Sequence, residues 1–175
     1  INFGCPSKTV NRRQGGAVML KDPKAVWSVV NAVRGELPAE IPVSAKMRLG
    51  YHDTSLMLDN ALAVEAGGAT DLTVHARTKV QGYAPPAHWG ELGIINNAIN
   101  IPLIANGDIW TVHDYYACVA DSGVVDVMLG RGAVRCPDLA SNIRANKMTE
   151  IEWRPVSKIL ADFWGEIRRT LPEQQ

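Results

Sequence analysis

Short runs of apolar residues alternate along this chain with longer stretches in which apolar residues recur every three or four positions. Within the runs, apolar and polar residues do not alternate, which is typical of strands covered on both faces of a parallel sheet. Polar residues or glycines follow each run. The pattern predicts about five strands, at 1–5, 42–48, 71–75, 102–106 and 124–129.

The stretches between these runs have the features of helices. Asp22 is a suitable N-cap and Pro23 suits the first helical turn, so a helix is predicted to begin there. Two further helices are predicted at 55–66 and 111–122, and Gly123 follows the second as a stop signal. Strands recur at intervals of roughly 20 to 30 residues, which favours βα units with a parallel sheet and helices outside it.

An open doubly wound sheet and part of a (β/α)8 barrel both fit this order of elements. Polar residues stand at the C-terminal end of every predicted strand, namely Asn2 and Cys5, Lys46 and Arg48, His75 and Arg77, Asn106 and Asp108, and Arg131. A barrel gathers such residues at one mouth, where barrel enzymes have their active sites. The predicted fold class is therefore α/β, the C-terminal portion of a (β/α)8 TIM barrel, because a whole barrel needs about 250 residues.

Two regions are predicted along the chain. Residues 1–150 form the barrel half, and residues 151–175 begin an appended helical region, because apolar residues at helical spacing are mixed there with basic ones. The chain starts without a methionine, in what reads as the end of a strand. We therefore expect an internal fragment of a longer protein.

The charge balance argues against a protein that binds nucleic acid by overall charge, because 18 basic residues equal 18 acidic ones. Local basic clusters, at 8–21 and 135–169, remain candidates for contact with phosphates. No apolar run reaches the ~18 residues that a membrane span needs. The three cysteines lie far apart, which suits a reducing cytosol and predicts a cytoplasmic location. No cysteine or histidine spacing indicates a metal site.

Glycine-containing turns follow the last two predicted strands, as Asn106-Gly107-Asp108 and Gly130-Arg131-Gly132. In barrels the corresponding loops often bind phosphate through backbone N–H groups, and Arg131 could add a charge pair. Both tripeptides would also serve as ordinary turns. Their order along the chain favours a phosphate site.

Three further side chains could carry chemistry. Lys46 and His75 end adjacent strands and could contact an electron-rich cofactor ring or a phosphate. An ion pair for Lys46 and a core position for His75 are the alternatives. Cys5 lies between a glycine and a proline just after a strand, where its thiol could act as nucleophile or proton donor. A buried free cysteine is the more ordinary case.

Together these motifs resemble the signature segments of the tRNA-dihydrouridine synthases. The resemblance covers nearly the whole chain, and it is carried by Asn2-Phe3-Gly4-Cys5-Pro6, Gly15-Gly16-Ala17 with Leu20, Lys46-Met47-Arg48, Val74-His75-Ala76-Arg77-Thr78, Gly82-Tyr83, Trp89, Asn106-Gly107-Asp108 and Gly130-Arg131-Gly132. Within the family, the chain is most similar to the bacterial C-type synthases, whose target is uridine 16 of the tRNA D-loop.

The resemblance implies a barrel that binds FMN, NADPH as the reductant of the flavin, and a C-terminal helical domain that helps to hold tRNA. It implies reduction of the C5=C6 bond of a uridine, with hydride passing from flavin N5 to C6 and a proton from Cys5 to C5. Asn2 and Tyr83 would contact the uracil, and Lys46 and His75 the flavin ring system. The ribityl phosphate end would be held by Asn106, Gly107, Asp108, Gly130 and Arg131.

Two other functions stay open at this point. One is an FMN barrel oxidoreductase that acts on a free pyrimidine, which would explain the phosphate site and the cysteine but would not need the basic clusters. The other is a non-catalytic tRNA-binding fragment. Because the first barrel strands of the family are missing from this sequence, the isolated chain is expected to lose activity that the longer protein has.

Overall fold

Four parallel strands form one sheet in the order in which they occur along the chain. The computed structural model describes residues 1–147 and 153–170. The strands are β1 (Ser44–Arg48), β2 (Asp71–His75), β3 (Leu103–Asn106) and β4 (Val127–Met128). In register, Arg48 pairs with His75, His75 with Asn106 and Asn106 with Met128. The strand ends thus lie side by side in one row.

Helices connect the strands and cover the sheet. They are α1 (Lys8–Arg12), α2 (Pro23–Glu36), α3 (Met57–Ala66), α4 (Trp89–Asn96), α5 (Val112–Ser122), α6 (Arg131–Arg135), α7 (Leu139–Ala145) and α8 (Trp153–Thr170), with a 3₁₀ helix at Gly16–Lys21. Val26 and Val30 of α2 and Val64 of α3 are fully buried against the strands. A parallel α/β sheet of this kind is part of a TIM barrel, which confirms the predicted fold class.

Local signals explain where the predicted helices begin and end. The Asp22 side chain accepts a hydrogen bond from the Lys24 backbone N–H, and Pro23 fills the first position of α2. In α5, Thr111 and Asp114 form a capping box, and Gly123 ends the helix in the left-handed conformation with φ of 69°. Helix α3 begins at Met57, two residues after the predicted start.

Two predicted strands are much shorter than expected, while those predicted at 42–48 and 102–106 begin only two residues and one residue late. The segment 1–5 makes only an isolated parallel bridge between Asn2 and Lys46. The bridge is supported by a bond from Phe3 N–H to the Lys46 carbonyl at 2.7 Å. The last strand extends over Val127–Met128 alone. Among the described residues, this strand, β4, pairs only with β3.

Helix α8 agrees with the amphipathic pattern expected in the tail. Its apolar residues Ile159, Leu160, Phe163 and Trp164 are exposed. The predicted boundary between residues 150 and 151 lies outside the described residues, and the division into two regions stays a prediction. Within the ranges 1–147 and 153–170, no helix combines the length and apolar character that a bilayer span requires.

Candidate functional site

A cavity of about 490 Å³ opens at the C-terminal ends of the strands. This is the edge at which α/β barrels bind their ligands, and the volume lies within the ordinary range for small-molecule sites. All ten residues predicted for the site line this cavity: Asn2, Cys5, Lys46, His75, Tyr83, Asn106, Gly107, Asp108, Gly130 and Arg131. The structure therefore brings them together; their individual roles stay predictions.

Asn106 is the hydrogen-bonding centre of the cavity floor. Its Oδ1 accepts from Lys46 Nζ at 3.0 Å and lies 3.0 Å from His75 Nδ1. Its Nδ2 donates to the Met128 carbonyl at 2.8 Å. The Met128 contact fixes the orientation of the amide, so Oδ1 must face the lysine and the histidine. One side chain at the end of β3 thus links residues of β1, β2 and β4.

His75 is held as a neutral imidazole. Because Asn106 presents an oxygen, Nδ1 of His75 donates, and Nε2 is left as an acceptor 3.5 Å from Arg77 Nη1. Its pKa is lowered to about 4, chiefly because burial penalises the charged ring, although the bond to Asn106 acts the other way. Nearby cations lower the pKa further: Arg48, Lys46 and Arg77.

The Lys46 ammonium is half-buried in the same floor. Burial lowers its pKa, and the neighbouring Arg48 lowers the pKa further. Lys46 and Arg48 are two positions apart in β1, so both side chains leave the strand on the same side. The floor of the cavity is consequently rich in positive charge, as a site for an anionic or electron-rich ligand requires.

The turn after β3 is held by a buried ion pair. Arg77, whose side chain is 0% exposed, contacts the Asp108 carboxylate, and Arg131 lies 3.5 Å from the other oxygen of that carboxylate. Asp108 has a positive φ of 55°, and the Gly107 carbonyl accepts from the Trp89 indole N–H at 2.9 Å. The contacts of Asp108 and Gly107 thus hold both residues of the turn that is predicted to bind phosphate. Support of this kind keeps a ligand site rigid.

The second glycine turn leaves backbone open to the cavity. A Cβ at Gly130 would meet no atom within 4 Å, whereas one at Gly132 would lie 2.1 Å from the Ile109 carbonyl oxygen. Gly132 is therefore required for packing of α6, while Gly130 faces open space. A ligand could approach the backbone at Gly130 closely.

Cys5 has a fixed backbone and a partly exposed side chain. Its carbonyl accepts from Asn11 Nδ2 at 2.9 Å and from the Ala17 N–H at 3.0 Å. Gly16, with φ of 66°, packs so closely that a Cβ there would lie 2.9 Å from the Cys5 Cβ. The thiol is consequently presented to the cavity from a backbone that cannot shift easily.

Tyr83 stands at the mouth of the cavity and is 56% exposed. The guanidinium carbons of Arg48 and Arg131 each lie 5.2 Å from its ring centre, and the His75 ring centre is 6.0 Å away. Such cation–π contacts hold an exposed ring in one orientation. Asn2, also exposed, accepts the Gly4 N–H through its side-chain oxygen at 2.8 Å.

Three residues at the site had no role assigned from the sequence. Arg48 donates to the Gly4 carbonyl and to the Thr78 and Gly82 carbonyls, Arg77 pairs with Asp108, and the Trp110 ring packs 4.8 Å from Arg131. The strand pattern placed Arg48 and Arg77 among the polar strand ends, whereas nothing in it indicated Trp110. Within residues 1–147 and 153–170, no group of three His, Cys, Asp or Glu side chains is placed to hold a metal ion.

Comparison with known proteins gives the family. The family model described as dihydrouridine synthase matches residues 1–171. The tRNA-dihydrouridine(16) synthase of Aquipseudomonas alcaligenes is 48% identical over 175 residues, which cover 98% of this chain and 56% of that protein. The protein of the same name from Ralstonia nicotianae is 49% identical over 171 residues, covering 96% and 52%.

A third relative, the tRNA-dihydrouridine(16) synthase of Neisseria meningitidis serogroup B, is 48% identical over 168 residues, covering 94% of this chain and 50% of its own. The chain thus spans about half the length of the curated relatives it matches. One chain in the crystal structure of the Amycolatopsis orientalis BexX/CysO complex overlaps with a TM-score of 0.49 at 19% identity, covering 88% of this chain and 55% of that one. The names of the three relatives support the subtype expected from the motifs, and the chain belongs to the dihydrouridine synthase family.

Proposed function

We propose that the full-length protein is an FMN-dependent tRNA-dihydrouridine synthase that reduces the C5=C6 bond of a D-loop uridine, at position 16, with NADPH as the reductant. The observation that carries the proposal is the convergence of Cys5, Lys46, His75 and two glycine turns on one cavity in a member of this family. The relatives' names support tRNA as the substrate and position 16 as the target.

The residues of the cavity fit FMN. The floor offers the Lys46 ammonium and a neutral His75 to a flavin ring system, and the turn at Gly130 offers open backbone to a phosphate. Arg131 is half-exposed and adds a positive charge beside that turn. Because the Asp108 carboxylate is already paired with Arg77, Asp108 contributes to the phosphate site by orienting Arg131 and through its backbone.

FMN, when bound, supplies the hydride for C6 of the uracil and is reduced again by NADPH. The chain's own residues then have to deliver a proton and hold the base. Cys5 is assigned the proton, which leaves Sγ for C5 of the uracil. Asn2 and Tyr83, both at the mouth of the cavity, hold the edge and the face of the base.

The substrate must bring its target base out of the RNA stack. A recessed cavity at the end of a parallel sheet cannot admit a stacked base, so the uridine is extruded before it reacts. Tyr83 lies close to two guanidinium groups but is 56% exposed, so it offers open ring surface against which the extruded base can pack. Backbone phosphates of the tRNA then supply most of the binding energy.

The decisive experiment uses the full-length protein with an unmodified tRNA transcript, and measures dihydrouridine and released flavin. Cys5→Ala is expected to abolish dihydrouridine formation and to retain FMN, while Cys118→Ala, which changes a buried thiol on α5, retains both. A Cys5→Ala protein that forms dihydrouridine at a near-normal rate would contradict the role of Cys5. A wild-type protein that binds no flavin would contradict the flavoenzyme assignment.

The same assay separates the two alternatives. Turnover of free uracil or dihydroorotate without tRNA would favour an oxidoreductase for free pyrimidines. Binding of tRNA that is unchanged by FMN and by Cys5→Ala, with no dihydrouridine formed by the wild-type protein, would favour a non-catalytic RNA-binding protein.

A further inference from the structure

A second cleft lies beside the cavity and carries only positive charge. It has a volume of about 200 Å³ and is lined by Lys8, Asn11, Arg12, Tyr51 and Lys79. We call it the Tyr51 cleft. None of its lining residues belongs to the larger cavity, and no residue of the proposed reaction lies in it.

The Tyr51 ring is flanked by two ammonium groups. Lys21 Nζ lies 4.1 Å from the ring centre and Lys79 Nζ lies 4.9 Å from it. Contacts of this kind favour positions of the lysine ammonium groups close to the ring. Lys79 lines the cleft together with Lys8 and Arg12, so three cations border one small volume, and Lys21 adds a fourth charge close to the Tyr51 ring.

These charges have no acidic partner within the described parts of the chain. The ion pairs among residues 1–147 and 153–170 are Arg77–Asp108, Arg131–Asp108 and Arg169–Glu166. The nearest acid on the same loop as Tyr51, Asp53, accepts hydrogen bonds from the backbone and hydroxyl of Ser55. In a chain of zero net charge, an unpaired group of cations marks a local site for an anion.

The Tyr51 cleft is connected to the catalytic cavity by short hydrogen bonds. Asn11, on one wall, donates through Nδ2 to the Cys5 carbonyl at 2.9 Å. Lys79, on the other wall, follows Thr78, whose carbonyl accepts from Arg48 Nη1 at 3.1 Å. The segments that form the cleft are therefore the same ones that position Cys5 and Arg48.

We propose that the Tyr51 cleft binds the sugar–phosphate backbone of the RNA substrate next to the extruded uridine. This inference rests on the proposed function for the identity of the RNA. Phosphate is the ligand that suits converging lysine and arginine side chains, and a flat aromatic ring can pack against ribose or an unstacked base. The proximity to Cys5 places these phosphates within a few nucleotides of the reacting base.

The test measures binding of an unmodified tRNA transcript to the full-length protein at several salt concentrations. Arg12→Gln and Lys8→Gln should each weaken binding about 3- to 10-fold at low salt and lower the salt slope by about one. Tyr51→Leu, which removes the ring that both lysines contact, should weaken binding to a similar extent. Lys24→Gln removes one exposed charge from α2, away from the cleft, and should leave binding unchanged.

Equal binding by Arg12→Gln, Lys8→Gln and Lys24→Gln proteins, each with wild-type FMN content, would overturn the proposal. A rise in KM for NADPH without any loss of tRNA affinity would also overturn it, because the cleft would then bind the phosphates of the nucleotide. The binding assay does not depend on catalysis. A wild-type protein that forms no dihydrouridine would contradict the proposed function, and the charge variants would still report whether the cleft contacts RNA.

Discussion

Arg48 donates from Nε to the Gly4 carbonyl at 3.0 Å, so a strand residue holds the loop that carries Cys5. The same guanidinium donates from Nη1 to the Gly82 carbonyl at 2.9 Å, immediately before Tyr83. Arg48 is buried, and its flat fork spans two loops that share no strand. The Arg48 side chain thereby sets the separation between the Cys5 thiol and Tyr83.

Replacement of Arg48 by lysine should therefore distinguish the effect of its positive charge from the effect of its hydrogen-bond geometry. A lysine keeps the positive charge but cannot reach three carbonyls in a plane, so we expect a loss of about 1–3 kcal/mol in unfolding free energy. The rate of dihydrouridine formation should fall at least about tenfold, because the thiol is no longer held in place. Denaturant titration measures the unfolding free energy, and single-turnover kinetics measure the rate of dihydrouridine formation. Arg13→Lys, at an exposed position, is the control. A wild-type rate in Arg48→Lys would contradict the positioning role.

His75 should make the stability of the fold dependent on pH. Its pKa is about 4 in the folded chain and near 6.5 when unfolded. Between these values the unfolded state binds more protons, so the unfolding free energy should decrease as pH falls from about 6.5 to about 4, by on the order of 1–3 kcal/mol. Denaturant titrations across this range measure the slope, which should be smaller in His75→Gln. An imidazole NMR titration with a midpoint near 6.5 in the folded protein would refute the prediction.

The two glycines on either side of Arg131 should respond differently to alanine. Gly132→Ala places a Cβ against the Ile109 carbonyl, and we expect a loss of about 2–4 kcal/mol in stability. Gly130→Ala meets no neighbour and should cost less than about 1 kcal/mol. If Gly130 borders the phosphate site, its alanine variant should nevertheless bind FMN more weakly. Thermal unfolding and flavin titration of the two variants give both comparisons, and equal destabilisation would contradict the packing argument.

The three cysteines should differ in reactivity. Cys118 is fully buried, and burial raises the pKa of its thiol to about 11. Cys136 is also buried, and its pKa is raised by burial and by its contact with Asp138. Cys5 is partly exposed, so it should be alkylated first under native conditions, at least about tenfold faster than the other two. Peptide mapping after brief iodoacetamide treatment identifies the modified residue; preferential labelling of Cys118 would refute the order.

The periodic parts of the fold could be predicted from the sequence because their signals are local. Helix α5 agrees with its predicted bounds within one residue, since Thr111 and Gly123 mark its ends. Helix α4 was not predicted, because Gly90 and Gly93 interrupt the pattern; Gly93 packs closely against Ser122 of α5, a contact that the local sequence does not reveal. The predicted first strand is reduced to a bridge at Asn2, and the Cys5 carbonyl bonds to the Ala17 N–H instead of a strand.

The site residues at strand ends could be predicted, because polar residues follow each strand in the sequence. Contacts between residues far apart in the sequence could not be predicted in this way. Each of the ten residues that were assigned a role lines the cavity, because parallel strands bring their C-terminal ends to one edge. Arg77 was expected at the same edge, but its ion pair was missed: the pairing with Asp108 joins positions 31 residues apart, and no periodicity reveals such a pair. The contact of Trp110 with Arg131 was missed for the same reason.

The order of strands in the sheet has a consequence for how the protein is made. Ser44 pairs with Asp71, Leu72 with Leu103 and Ala105 with Val127, so each strand pairs with the next one along the chain. Each pairing closes a loop of only roughly 20 to 30 residues. As the ribosome releases the chain, every new strand finds its neighbour already synthesised. The polar side chains of the cavity floor thus leave the ribosome in the same order in which they lie side by side in the sheet.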